Sequence, residues 1–231
     1  MNKKNPLFSA DRLLCWASAL VVGTVILVWP RPGTALSLPE VIAATQNFYE
    51  KTADLKADFS QEVNIKSMKK TNREEGTFYF KKPRRMVWDY SRPKGQKMVI
   101  NPQTMWLYVP RDNIVYVQNA NEAFKAKAIV RFLSGWGKLT EDFDIAFAQA
   151  TGLDKEGNYL LKLIPKERDF GVDEFFLTLD KDRFYISQLS FIDSYGNATR
   201  LLFRNIKVNN DLPEKQFSFT PPPGVEIYHN R

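Results

Sequence analysis

Residues 76–90 read Gly-Thr-Phe-Tyr-Phe-Lys-Lys-Pro-Arg-Arg-Met-Val-Trp-Asp-Tyr, and this stretch decides the fold. Residues 76–80 and 85–90 are two runs of strand-forming residues, and the Lys82-Pro83 break between them is short enough to join antiparallel neighbours directly. Further strands are predicted toward the C-terminus at residues 97–100, 104–109 and 114–118. They are punctuated by Arg92-Pro93-Lys94-Gly95, Asn101-Pro102 and Pro110-Arg111-Asp112-Asn113, all of them turn-forming sequences. Toward the N-terminus the period is two at Leu55, Ala57 and Phe59 and again at Val63 and Ile65, which predicts the first strand. Before it, Pro39 stands in the first turn of a helix whose apolar positions are Val41, Ile42, Thr45, Phe48 and Tyr49. The pattern is a helix followed by a meandering sheet.

The meander is interrupted at residues 121–134, where Phe124, Ala128, Ile129, Phe132 and Leu133 fall at helical spacing and Gly135 offers a stop. Strands are then predicted at 143–147, 159–164, 174–179, 184–192, 198–206 and 217–219, about eleven in all, before Pro221-Pro222-Pro223. No internal repeat, low-complexity tract or interdomain linker divides residues 36–231, so one domain is expected. An antiparallel sheet this large curls to bury its apolar face. Composition leaves barrel, incomplete barrel and sandwich all open.

Residues 13–29 carry no charge, follow Lys3, Lys4 and Arg12, and lead to Gly33-Thr34-Ala35. Together these predict a secretory signal cleaved after Ala35; the alternative is an uncleaved anchor, for which seventeen residues fall short of the ~20 that span a bilayer. Leu14 and Arg12 argue against lipidation of Cys15. Residues 1–35 hold a net +3 of the chain's +7, leaving +4 on residues 36–231. That is mildly basic and does not indicate a nucleic-acid partner. The single cysteine, Cys15, lies in the signal, so the domain is expected to have no internal disulfide. The single histidine, His229, leaves no Ser-His-Asp triad and no His or Cys metal cluster within the domain. No cofactor is called for. An enzyme would have to draw an acid–base pair from Glu74, Glu75, Glu141, Asp142 and Asp144, whose neighbours read as hairpin ends.

Several strands are bulky on both faces: Phe78 and Phe80 flank Tyr79, and Met105, Leu107 and Val109 alternate with Trp106 and Tyr108. Two readings compete. Either both faces are core, or the concave face is an apolar cavity suited to acyl chains, with the 121–134 helix as a movable lid. Basic residues cluster at Lys66, Lys69, Lys70 and Arg73 and at Lys81, Lys82, Arg84 and Arg85. Anionic headgroups or an acidic partner loop would suit them. Solvated hairpin tips whose lysines prevent edge pairing are the favoured reading.

The motifs Ala57-Asp58-Phe59-Ser60-Gln61, residues 76–83, Met86-Val87-Trp88-Asp89-Tyr90, residues 105–110 and the closing residues 217–225, in that order, resemble the periplasmic carrier of outer-membrane lipoproteins, the LolA family. The resemblance runs through residues 36–231. It implies a mainly β fold with helices (α+β): an open antiparallel half-barrel with a helical lid over a hydrophobic cavity. It implies a non-enzymatic periplasmic chaperone in a Gram-negative bacterium. Such a carrier accepts triacylated lipoproteins from an inner-membrane ABC transporter (LolCDE-like), shields their acyl chains, and passes them to an outer-membrane receptor (LolB-like). Carried over by position, the cavity and lid comprise Phe59, Phe78, Phe80, Trp88, Trp106, Ile129, Phe132 and Leu133. The family's aromatic transporter contact falls on Met86, and its arginine before the turn proline, which latches the lid, is Lys82. Val87 replaces a further arginine. A carrier or sensor of the same fold with another lipid or acylated cargo is the alternative.

Overall fold

The computed structural model describes residues 36–121, 138–167 and 171–229, all within one compact unit, Ala35–Arg231. Helix α1 (Leu38–Lys51) starts where the sequence places it. The Glu40 carboxylate accepts hydrogen bonds from Ser37 N at 2.8 Å and Ser37 Oγ at 2.6 Å, a reciprocal cap strengthened by a negative charge at the positive end of the helix. Those bonds hold the Glu40 carboxyl below its ordinary pKa. Val41, Thr45 and Tyr49 form the buried stripe, spaced four apart as one helical face requires.

Twelve strands follow: β1 (Asp54–Ile65), β2 (Lys70–Lys81), β3 (Arg85–Arg92), β4 (Lys97–Ile100), β5 (Thr104–Val109), β6 (Ile114–Asn119), β7 (Phe143–Phe147), β8 (Tyr159–Pro165), β9 (Val172–Leu179), β10 (Ile186–Asp193), β11 (Ala198–Val208) and β12 (Glu226–His229). They form one sheet in the order β12-β6-β5-β4-β3-β2-β1-β11-β10-β9-β8-β7. Two antiparallel meanders are thus joined where β1 meets β11, with Phe59 opposite Phe203. The ends, β12 and β7, do not pair, so the sheet is an open half-barrel rather than a closed one.

The junction is fixed by polar groups. Asp54 is buried, and its carboxylate accepts from Asn210 N at 2.8 Å and Leu212 N at 3.2 Å. The Asn209 side chain accepts from Ala53 N at 2.8 Å. A buried carboxylate is tolerated because its lone pairs are met by backbone donors, and here those bonds tie the exit of β11 to the start of β1.

Several strand limits differ from the expectation. β2 begins at Lys70, not Gly76, because its first residues are polar and take their conformation from pairing with β1. Residues 217–219 are not a strand: Glu214–Phe217 is a 3₁₀ turn, and the last strand is β12, which pairs parallel with β6. The segment near Phe217 reads as apolar because Phe217, with Leu212 and Phe219, covers Val87, Val99 and Trp106 on the outer face of the sheet. The helix expected at 121–134 lies outside the described residues except for Asn121, which is helical together with the preceding Ala120.

Candidate functional site

Cross-strand register shows which side chains share a face. One row runs Ala57–Phe78–Trp88–Met98–Leu107–Tyr116–Tyr228 across seven strands. Beside it runs Leu55–Phe80–Met86–Ile100–Met105–Gln118. On the other half of the sheet the same face carries Leu201, Leu189, Leu177, Leu161 and Phe147 in register. Every member of these rows but Gln118 is apolar or tyrosine, so they line a hydrophobic trough, bordered where the two halves meet by Gln61 and Glu74 on the same face.

At its centre the aromatic rings interlock. Phe59 meets Trp88 edge-on at 4.8 Å and Tyr90 at 5.2 Å; Phe78 lies 4.6 Å from Trp88 and 5.5 Å from Phe203. Such pairs add to plain area burial. Gly76 makes this possible: a Cβ there would fall 2.1 Å from the Asp89 carbonyl oxygen and 2.8 Å from the Phe59 ring. The glycine leaves the space that the Phe59 ring fills.

Helix α1 lies over one part of the trough. Val41 and Tyr49 join the same buried cluster as Phe78, Phe80, Leu177 and Leu179. The space between Tyr49, Leu55, Phe78, Phe80, Ile186, Phe203 and Ile206 is about 10 Å³, room for one water at most. Among the described residues, α1 and the segment leading into it meet the sheet through these polar contacts. Ile186 N donates to the Tyr49 hydroxyl at 3.1 Å, and Leu36 N to the Tyr159 hydroxyl at 3.3 Å. Lys82 Nζ donates to the carbonyls of Tyr49 at 2.7 Å and Glu50 at 2.9 Å. An ammonium on the last carbonyls of a helix is favoured by the dipole; burial lowers the Lys82 pKa and Glu50 partly restores it. Tyr49, buried in the trough, has its phenol pushed up by that burial.

Burial falls off toward β12. Phe78 is 3% exposed, whereas Tyr116 and Tyr228 are 45% and 46% exposed, and with Met105 and Leu107 they line an open groove of about 440 Å³. A further groove, of about 670 Å³, lies on the opposite side of the sheet among Asp58, Ser60, Glu75, Thr77, Asp89 and Arg204. Its charges are partly neutralised: Asn205 donates to Asp58 at 2.7 Å, and Lys97 pairs with Asp89 at 2.9 Å. It is shallow, polar and without the convergent apolar lining of a ligand site.

The structure brings Phe59, Phe78, Phe80 and Trp88 together in the trough. It parts Trp106 from them: its register partners are Val99 and Val117, and its ring packs 6.4 Å from Phe219 on the outer face. Met86 is only 1% exposed and sits in the trough beside Phe80, so in this conformation it is a core residue and offers no surface to a transporter. Ile129, Phe132 and Leu133 lie outside the described residues. Sequence reasoning missed Tyr49 and Phe203 as trough residues, although both stand in the predicted helix and strand. The acidic residues do not converge. Glu74 and Glu75 are successive strand residues and point to opposite faces, while Glu141 and Asp142 lie in the short helix Leu139–Asp142 and Asp144 on β7. Burial raises the Glu74 pKa, and Gln61 donates to its carboxylate at 3.0 Å.

A wide open sheet with an apolar concave face and a helix across it defines a class of half-barrel proteins. The fold is similar to that of an uncharacterised conserved protein from Thermus thermophilus, at a TM-score of 0.55 and 15% identity over 84% of this chain and 100% of that one. Residues 50–220 match the family model for the outer membrane lipoprotein carrier protein LolA, and the chain belongs to that family. It is similar to the outer-membrane lipoprotein carrier proteins of Methylococcus capsulatus, at 29% identity over 89% of this chain and 95% of the relative, and of Dechloromonas aromatica, at 29% identity over 78% and 84%.

Proposed function

We propose that the protein is a non-enzymatic periplasmic carrier of lipoproteins, exported by the segment ending at Ala35. In this reading it receives acyl chains released by an inner-membrane ABC transporter and gives them up at the outer membrane. The observation that supports it is the trough: apolar side chains in register across seven strands, covered in part by a helix. Each CH₂ taken from water contributes ~0.8 kcal/mol, so acyl chains stay in a membrane unless a comparable apolar surface accepts them. The gap beneath α1 is about 10 Å³, too small for a chain, so loading the part of the trough under the helix requires α1 to move off the sheet. The apolar contacts beneath α1 that would be broken are then replaced by contacts with cargo. This balance lets chains be handed on without an energy source, because the closed trough competes with cargo. The segment of Ile129, Phe132 and Leu133 is the second candidate cover.

The test is release from spheroplasts. The purified protein is added to spheroplasts with a competent transporter, and the supernatant is examined for a soluble one-to-one complex with a triacylated lipoprotein. A complex supports the reading. If lipids copurify instead and no lipoprotein is released, the cargo is another acylated molecule. Phe132→Glu is expected to abolish retention while leaving the fold intact, and unchanged retention would remove that segment from the site.

A further inference from the structure

The lysine-rich hairpin between β1 and β2 is not explained by edge protection, because β1 and β2 lie in the middle of the sheet, flanked by β11 and β3. Lysines deter edge pairing only on edge strands. The second basic cluster is used internally. Lys81 and Arg85 pair with Glu214, Lys82 holds α1, and Arg84 donates to Asn121 at 2.6 Å. By contrast Lys66, Lys69 and Lys70 are exposed, and among the described residues none of the three ends in an ion pair. Residues 64–72 include no acidic residue.

Between these lysines the hairpin presents Met68, 71% exposed. The turn is hydrogen-bonded, Met68 N to Ile65 O at 3.2 Å and Lys69 N to Lys66 O at 3.4 Å, so its shape is defined. A second tip touches it. Lys66 N donates to Asn197 Oδ1 at 3.2 Å, and a Cβ on Gly196 would meet the Lys66 side chain at 2.8 Å. That second tip presents Tyr195, 84% exposed. Its one carboxylate, Asp193, accepts from Tyr195 N and Asn197 N, each at 2.9 Å, so its charge is directed inward at the turn backbone. Ile192, 62% exposed, follows on β10.

We propose that these joined tips dock the protein on an anionic phospholipid surface. Three cations meet the headgroups while Met68 and Tyr195 enter the interfacial layer, where a thioether and an amphipathic ring are both well accommodated. A protein partner would more often meet a packed, largely desolvated patch than two isolated side chains projecting from turns. The tips lie at the end of β1 remote from α1 and the Lys82 turn, so docking leaves the helix that covers the trough free to move. The inference does not depend on lipoprotein being the cargo.

The test is co-sedimentation of the purified protein with cargo-free vesicles of phosphatidylcholine alone or with about one-third phosphatidylglycerol. Binding is expected only to the anionic vesicles and is expected to be lost in high salt, as surface electrostatics are. The triple change Lys66→Glu, Lys69→Glu, Lys70→Glu is expected to weaken it on the order of 100-fold, and Met68→Ser with Tyr195→Ser on the order of tenfold. The control reverses the exposed Lys155, Lys181 and Lys207, giving the same net charge elsewhere, and is expected to bind much as the parent. Thermal melts of all variants establish that they fold. The proposal is overturned if the parent ignores anionic vesicles, or if the control loses binding as fully as the tip variant. Because no lipoprotein is present, either result leaves the carrier reading untouched.

Discussion

Replacing Lys82 by methionine keeps an unbranched apolar stem out to the ε position and removes the ammonium that holds the carbonyls of Tyr49 and Glu50. A buried bond from a charged donor contributes about 1.5–3 kcal/mol net; Lys82 is only partly buried, so solvent screening brings each bond to about 1 kcal/mol. Losing both destabilises the docked helix by about 2 kcal/mol, or roughly thirtyfold in its opening equilibrium. The aliphatic stem remains in place, so the sheet loses nothing. Hydrogen exchange measured by mass spectrometry should show the amides at the C-terminal end of α1 exchanging roughly thirtyfold faster, with β1 and β11 unchanged. Since a closed state lowers apparent affinity by the fraction that is open, a fluorescent fatty acid should bind more tightly by up to the same factor. Unchanged exchange in α1, or equal acceleration throughout the sheet, would refute the assignment of Lys82 as the tether.

Gly76→Val forces a methyl-bearing carbon toward the Asp89 carbonyl and the Phe59 ring, and should cost about 2–4 kcal/mol in urea unfolding. Phe78→Ala empties the centre of the aromatic cluster and should cost about 3–5 kcal/mol by the same measure. Glu74 has its folded pKa raised by burial, so its favourable contribution is complete below the ordinary carboxyl pKa and is lost as pH rises through the raised value. Glu74→Gln should therefore be more stable than the parent at neutral pH, with the difference closing as pH falls through the carboxylate range, measured by thermal melting across pH. The same variant removes a charge that, after burial, helps push the Tyr90 phenol up to about 12; ultraviolet titration should show Tyr90 ionising at lower pH.

Much of the fold was legible because β1 alternates at Leu55, Ala57 and Phe59, because β3, β5 and β8 are runs of strand-forming residues, and because turn residues separate them. Local pattern showed less where long-range pairing takes over. The first residues of β2 have no apolar alternation and are strand only because β1 lies opposite. Phe217 and Phe219 alternate like a strand yet cap the outer face around Trp106. The same ambiguity affected the site. Period two shows that Trp106 and Leu107 lie on opposite faces, but only the register from Phe78 through Trp88 and Met98 shows that Leu107, not Trp106, faces the trough. Met86 stands where the resemblance places a transporter contact, but on the trough face opposite Phe80 it is buried. The resemblance placed Lys82 at a latch on the 121–134 segment, which beyond Asn121 lies outside the described residues; the partners found for its ammonium are the carbonyls of Tyr49 and Glu50 in α1, a contact that could be read only once α1 was placed.

The account rests on the trough opening to accept acyl chains, and the most direct measurement is a cross-link across its closed cover. A disulfide engineered between α1 and the adjacent β10 strand, at positions chosen for favourable Cα spacing, locks the helix down. In the spheroplast assay the reduced form should release lipoprotein as a soluble complex and the oxidised form should not. Release of equal amounts by the oxidised protein, with the cross-link confirmed intact, would contradict it.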